Sequence, residues 1–148
     1  MLDTMEYDRL LMAPGTSRRL LEMVSNGTIE LISTHIQRDQ ILDIPDDPAK
    51  KAALEELLTH ARMVGTRGVV LDLSRLDEAR IGSDEDHKLI DHIGDREDAL
   101  IATTATNDAD VLVTDDARFT SKLMSYPGNR CEVIDFSQFE KRLKNKSL

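Results

Sequence analysis

Short apolar runs alternate along this chain with stretches in which apolar residues recur every three or four positions. The runs are rich in β-branched residues and predict strands, whereas the three- and four-residue spacing is typical of amphipathic helices. The predicted strands are Thr28–Ile32, Val69–Leu71, Val111–Val113 and Cys131–Ile134, preceded by a very short one at Leu2 that ends at Asp3. Strands separated by helices in this way favour a parallel sheet joined by crossover connections.

Start and stop signals for helices lie between these strands. Ser83 and Asp86 have the spacing of a capping box, and Gly94 marks the end of the helix that follows them. Either Asp46 or Asp47 can cap a helix in which Pro48 occupies the first turn. The other predicted helices run from Ser17 to about Asn26, from Ser33 or Thr34 through Ile41, from Asp95 to Thr106, from Ala117 to Met124, and onward from a capping box at Ser137 and Glu140.

The two central runs, Val69–Leu71 and Val111–Val113, show no polar alternation, which is expected of strands covered on both faces. The predicted fold is therefore α/β, a three-layer α/β/α sandwich with a mainly parallel central sheet. A length of 148 residues favours one domain spanning residues 1–148. In such sheets, ligands bind at the carboxyl ends of the strands.

The amino-acid composition disfavours several classes of protein. Asp and Glu number 28 against 19 Lys and Arg, so the net charge is −9, which disfavours a protein that coats nucleic acid through its overall field. Aromatic residues make up 3% of the chain, too few for a base-stacking platform. The single cysteine, Cys131, excludes an internal disulfide framework, and no apolar run approaches the length of a membrane span. We therefore expect a cytoplasmic protein.

The chemistry that the sequence offers is carried by aspartates at the predicted sheet edge. Asp3 follows the first strand, Asp116 follows Val111–Val113, Asp98 lies in the first turns of the helix that leads into that strand, and Asp39 lies on the helix after the second strand. Carboxylates gathered in one cleft repel one another, and a divalent cation removes that conflict. Hard oxygen ligands suit Mg²⁺ or Mn²⁺, which can activate water for attack on phosphorus.

These segments resemble the PIN-domain ribonucleases. The resemblance rests on Leu2-Asp3-Thr4, on Ser33 leading to Asp39, on Asp98–Ala105, and on Val113-Thr114-Asp115-Asp116 running on to Phe119, in that order along most of the chain. The part from Asp98 to Phe119 is the most specific. The sequence departs from the family where Asp39 replaces the usual Glu and where Met5 follows Asp-Thr in place of a small polar residue.

The resemblance implies a metal-dependent endoribonuclease that hydrolyses RNA phosphodiester bonds. By this correspondence Asp3, Asp39, Asp98 and Asp116 hold Mg²⁺ or Mn²⁺, and Thr114 provides a hydroxyl beside the metal. Many small members of the family are toxins held by an antitoxin, so an antitoxin-like protein is an expected partner. A small α/β protein of this kind is also expected to form a symmetric homodimer.

Each candidate also has a structural interpretation. Asp3 and Asp116 can serve as helix N-caps, Asp98 can favour a helix N-terminus through the macrodipole, and Asp39 can be an exposed polar residue. Asp8 is the alternative first ligand if the register of the first strand is shifted. At the level of function, the alternative is a PIN-like binding or interaction module with a weakened site.

Overall fold

The computed structural model describes residues 1–43, 47–70, 72–75 and 77–145. Over these residues it contains eight helices and six short strands. In chain order they are α1 (Thr4–Met12), α2 (Pro14–Ser25), β1 (Ile32–Ser33), α3 (His35–Leu42), α4 (Pro48–Thr59), β2 (Arg62–Met63), β3 (Thr66–Arg67), β4 (Ala79–Arg80), α5 (Asp84–Ile93), α6 (Arg96–Asp108), β5 (Val111–Val113), α7 (Ala117–Ser125), β6 (Glu132–Ile134) and α8 (Phe136–Asn145).

The strands pair in parallel, two by two. β1 pairs with β2, β3 with β4, and β5 with β6, the last with Val111 opposite Glu132. Leu2 adds a parallel bridge to Val113, fixed by bonds from the Asp3 amide to the Val113 carbonyl at 2.9 Å and from the Val113 amide to the Met1 carbonyl at 3.0 Å. The fold is thus mixed α/β, as predicted, with parallel pairs of two strands in the described part of the chain.

Neighbouring residues of β5 pack into different hydrophobic clusters. Leu112 belongs to the cluster that includes Leu100 of α6, whereas Val113 belongs to the cluster that includes Leu10 of α1 and Phe139 of α8. Because successive side chains of a strand point to opposite faces, β5 has apolar packing on both sides. This two-sided burial explains the uninterrupted apolar run of that strand.

Several predicted helix boundaries are confirmed. The Ser83 hydroxyl accepts from the Asp86 amide at 3.2 Å while the Asp86 carboxylate accepts from the Ser83 amide at 2.8 Å, the reciprocal pattern of a capping box. Gly94 ends α5 with a positive φ of 77°, a conformation that costs glycine least. Asp47 caps α4 ahead of Pro48, whereas Asp46 lies outside the described residues.

Other predicted boundaries are wrong. α1 was not predicted, and α2 begins at Pro14 rather than at Ser17, because a proline at the first helical position needs no amide partner. The strand predicted over Thr28–Ile32 is confined to Ile32–Ser33. α8 is capped by Asp135, whose carboxylate accepts from the Gln138 amide at 2.7 Å, and not by Ser137.

The strand predicted over Val69–Leu71 is also displaced. Val69 and Val70 lie in no strand, and Leu71 is outside the described residues. The pairing falls instead on Thr66–Arg67 and is followed by Gly68, whose φ of 87° turns the backbone out of the extended conformation. No helix among the described residues has the length and apolar character needed to cross a membrane.

Candidate active site

Asp3 lies where the first extended segment meets a helix. Its backbone continues the Leu2–Val113 bridge, and its side chain caps α1 by accepting from the Thr4 amide at 2.7 Å. The residue is only 8% exposed. Asp3 is thus a helix N-cap, one of the roles that the sequence allowed, and it lies beside the carboxyl end of β5.

Thr114 connects Asp3 to the segment that follows β5. Its hydroxyl donates to the Asp3 carboxylate at 2.7 Å and accepts from the Asp116 amide at 3.2 Å. The Thr114 amide donates in turn to the Ile134 carbonyl at 3.0 Å, which ties this corner to β6. A buried hydroxyl thus fixes the orientation of a carboxylate that is distant in the sequence.

Asp116 is the N-cap of α7. Its carboxylate accepts from the Arg118 amide at 2.7 Å and from the Phe119 amide at 2.8 Å, and the residue is exposed. Phe119 itself is buried, so the start of α7 is held firmly against the core. The cap leaves Asp116 at the carboxyl end of β5, on the same edge as Asp3.

Asp98 has the most perturbed carboxyl group of this region. Desolvation by partial burial, followed by the charges of the carboxylates at Asp95, Asp3, Asp116 and Glu97, raises its pKa from 3.8 to about 6. Within the described part of the chain, its side chain accepts no hydrogen bond that would oppose this shift. The macrodipole of α6 favours the ionised form, but that effect is about 0.3–1 kcal/mol and is outweighed here.

The same electrostatic coupling reaches Asp3. Burial raises the pKa of the Asp3 carboxyl group and the charge of Asp116 adds to that increase, while the hydrogen bonds from Thr114 and Thr4 oppose it. Asp3, Asp98 and Asp116 therefore share one electrostatic environment, although more than ninety positions separate the first from the other two in the sequence. The group predicted from the sequence also included Asp39.

Asp39 lies apart from that trio in its contacts. Its carboxylate forms an ion pair with Arg75 at 2.6 Å and lies 3.8 Å from Arg38. It also borders a shallow cavity lined by Gln40, Arg75 and Glu97. Asp8, the alternative first ligand, forms an ion pair with Lys50 at 2.7 Å.

Gln40 was not predicted from the sequence as a residue of this region. Gln40 accepts a hydrogen bond from the Thr4 hydroxyl and donates one to the Glu97 carboxylate. Successive residues of a helix differ by about 100° in direction, so Asp39 and Gln40 cannot face the same neighbour. Only the rotational setting of α3 decides which of them faces Thr4, and no pattern in the sequence reports that setting.

Glu6 is a buried carboxylate of this region that was also not predicted from the sequence. It is buried, its Oε1 accepts from the Asp115 amide at 2.9 Å, and its Oε2 has no hydrogen-bond partner. Burial raises the pKa of this carboxyl group, and the charges of Asp115 and Asp3 add to the increase. Its position one turn along α1 from Asp3 is the only signal that could have identified it.

The side chains of Asp3, Asp98 and Asp116 offer only carboxylate oxygens, the donor type that hard cations prefer. No group of three His, Cys, Asp or Glu side chains in the described ranges is assembled closely enough to form a metal centre as it stands. Coulombic coupling extends further than direct ligation, however, and Mg²⁺ typically keeps several waters and uses one or two carboxylates. The pKa of Asp98 is raised first by desolvation and then by the repulsion of neighbouring carboxylates, and a bound cation would relieve that second part.

Comparison with known proteins adds no relative. No protein-family model, no curated protein and no solved structure matched this chain.

Proposed function

We propose that the protein is a divalent-metal-dependent endoribonuclease, with its site at Asp3, Asp98 and Asp116. The observation that carries the proposal is the contact that joins Asp3 to Asp116 at one edge, where the Thr114 hydroxyl donates to the Asp3 carboxylate at 2.7 Å and accepts from the Asp116 amide at 3.2 Å. Burial, with the charges of carboxylates that include Asp3 and Asp116, raises the pKa of the Asp98 carboxyl group beside them to about 6. A fold gains no stability from gathering like charges in this way, and perturbed titrations of this kind concentrate at functional sites.

In this proposal Asp3, Asp98 and Asp116 hold Mg²⁺ or Mn²⁺, with Thr114 orienting Asp3. When bound, the metal supplies charge neutralisation of the phosphodiester and lowers the pKa of water at the site. The chain's own part is to keep the ligands in place. Thr114 orients the Asp3 carboxylate by donating a hydrogen bond to it. The N-caps of α1 and α7 fix the backbone at Asp3 and at Asp116.

The preference for RNA is supported by the resemblance to PIN-domain ribonucleases and not by the carboxylates, because DNA and RNA offer a metal the same phosphodiester group. The three-layer α/β/α arrangement belongs to the same proposal. Its support is the two-sided packing of β5, with Leu112 and Val113 in opposite clusters. An antitoxin-like partner, a homodimer and a cytoplasmic location are further proposals that rest on the resemblance.

Metal-dependent stabilisation tests the site without any choice of substrate. At a Mn²⁺ concentration about 100 times the dissociation constant, a ligand of the native state adds about 2.7 kcal/mol to the free energy of unfolding. We expect this increase in urea unfolding of the wild type and of Asp91→Asn, which removes an exposed carboxylate of α5, and its loss in Asp98→Asn. Equal stabilisation of all three proteins would place the metal elsewhere.

A second function is a PIN-like binding or interaction module. The observation that favours it is the ion pair of Asp39 with Arg75 at 2.6 Å, which engages the second of the four predicted ligands in a contact with a cationic side chain. A module of this kind predicts a folded protein whose stability is unaffected by Mn²⁺ and which does not cleave RNA.

A further inference from the structure

One side chain of α3 joins the two helices that carry the principal carboxylates. Gln40 accepts a hydrogen bond from the Thr4 hydroxyl, at the first residue of α1, and donates one to the Glu97 carboxylate, in the first turn of α6. Gln40, Thr4 and Glu97 are all partly buried. Among the described residues, no other side chain of α3 is hydrogen-bonded to both of these helices.

Both partners of Gln40 are coupled to the proposed metal ligands. The Thr4 amide donates to the Asp3 carboxylate at 2.7 Å, so the position of Thr4 affects that of Asp3. Glu97 directly precedes Asp98 in the first turn of α6, so the position of Glu97 affects that of Asp98. A change at Gln40 is therefore transmitted to Asp3 on one side and to Asp98 on the other.

An amide side chain fits this place because it offers an acceptor and a donor together. The carbonyl oxygen of Gln40 takes the hydroxyl proton of Thr4, and its amino group serves the carboxylate of Glu97. A carboxylate at position 40 can accept from Thr4 but repels Glu97. A thioether of the same length does neither well.

We propose that Gln40 is a positioning residue of the site, which sets the separation of Asp3 and Asp98 by holding Thr4 and Glu97. The inference rests on the proposed nuclease function and assigns the contribution of α3 to Gln40. Gln40 acts through its two neighbours and does not itself contact substrate or metal.

Three variants test this role. Gln40→Met keeps the length of the side chain and removes both hydrogen bonds. Gln40→Glu keeps the acceptor for Thr4 and places a second charge against Glu97. The double variant Gln40→Glu with Glu97→Gln restores the pair with its polarity reversed, because the amide at position 97 then donates to the carboxylate at position 40.

We expect Gln40→Met and Gln40→Glu to lower kcat for Mn²⁺-dependent RNA cleavage by about 10-fold, the low end of the effect of losing a direct partner of a metal ligand because Gln40 is one contact further away, with KM for RNA unchanged. The double variant recovers most of the lost activity. The increase in the free energy of unfolding that Mn²⁺ produces in the wild type is smaller in Gln40→Met and Gln40→Glu and returns in the double variant. Gln138→Met, on α8, is the matched control and keeps wild-type kcat.

The possible failures are distinguishable. A wild type that neither binds Mn²⁺ nor cleaves RNA refutes the proposed function itself. An active wild type with unchanged kcat in Gln40→Met refutes the role of Gln40 alone. Loss of activity with a lowered urea midpoint and no recovery in the double variant shows a merely structural residue and also overturns the proposal.

Discussion

Replacing Asp98 by Asn should stabilise the protein at neutral pH. Burial and the surrounding carboxylates disfavour the ionised form of Asp98, and its side chain accepts no hydrogen bond in the described part of the chain that an amide would lose. Asn has the same shape and no charge, so the variant removes the repulsion without leaving a cavity. Removal of a functional carboxylate commonly stabilises a fold at the expense of activity.

The magnitude follows from the pKa of Asp98. An increase from 3.8 to about 6, at about 1.4 kcal/mol for each pH unit, corresponds to about 3 kcal/mol. Asp98 is half-buried, and screening by water reduces this figure to about 1–2 kcal/mol. Loss of a favourable charge at the start of α6 costs about 0.3–1 kcal/mol. The net gain at pH 7 is about 1 kcal/mol.

The pH dependence of this difference in the free energy of unfolding shows whether the gain comes from the charge of Asp98. Between pH 4 and pH 6 the folded state holds a proton on Asp98 that the unfolded state releases, so this group makes the wild type less stable as the pH rises through that window. The difference between variant and wild type should therefore be full above about pH 6 and vanish below about pH 4, where the carboxyl group is protonated in both states.

Urea unfolding followed by circular dichroism at several pH values measures this difference. Asp91→Asn, which removes an exposed carboxylate of the neighbouring helix α5, is the control and should show no comparable gain. A variant of Asp98 that is less stable than the wild type at pH 7, or a gain that is the same at pH 4 and pH 7, would refute the electrostatic reasoning.

Three further outcomes are expected. Thr114→Val removes the hydroxyl that donates to Asp3 at 2.7 Å, so the Asp3 pKa should rise in an NMR titration and the free energy of unfolding should fall by about 1–3 kcal/mol; an unchanged pKa would contradict the contact. Leu112→Ala truncates a fully buried side chain of β5 and should lower the free energy of unfolding by about 2–5 kcal/mol in urea unfolding. A loss below about 1 kcal/mol would show that the face of the strand that carries Leu112 is not packed. Asp39→Asn removes one partner of a partly exposed ion pair with Arg75 and should change stability by at most about 1 kcal/mol, and a large loss of Mn²⁺ affinity in the same variant would restore Asp39 as a ligand.

The helices whose start and stop signals lie within a few residues of their ends were predicted from the sequence. The box of Ser83 with Asp86, the glycine at position 94 and Asp47 before Pro48 all act within a few residues of one another, so the sequence contains the whole interaction. α1 itself was not predicted. Its cap, Asp3, also ends an extended segment, and the sequence offered Asp3 as a possible N-cap without assigning a helix after it.

Strand positions depend on partners that are distant in the sequence. Val69 and Val70 have a high strand propensity, yet the pairing with Ala79–Arg80 falls on Thr66–Arg67. Propensity describes a residue's fit to a pleated surface, whereas hydrogen bonding to another strand decides where the ladder forms. Val111–Val113 was predicted because its apolar run coincides with the paired residues.

The candidate site likewise has a part that could be predicted from the sequence and a part that could not. Parallel strands bring their carboxyl ends to one edge, which led us to place Asp3 and Asp116 together, while Asp98 and Asp39 joined the predicted group through the family resemblance. The electrostatic coupling of Asp98 to Asp3 and Asp116 contributes to its raised pKa. The contacts of α3 were not predictable. They depend on a helix rotation of about 100°, which turns Asp39 toward Arg75 and Gln40 toward Thr4.

Cleavage of a mixed RNA substrate in the presence of Mn²⁺ or Mg²⁺, with the wild type beside Asp98→Asn and Asp91→Asn, tests the central claim most directly. The account predicts metal-dependent cleavage by the wild type and by Asp91→Asn, abolished by a chelator and lost in Asp98→Asn. Cleavage that survives in Asp98→Asn, or a folded wild type that cleaves with neither metal, would contradict it.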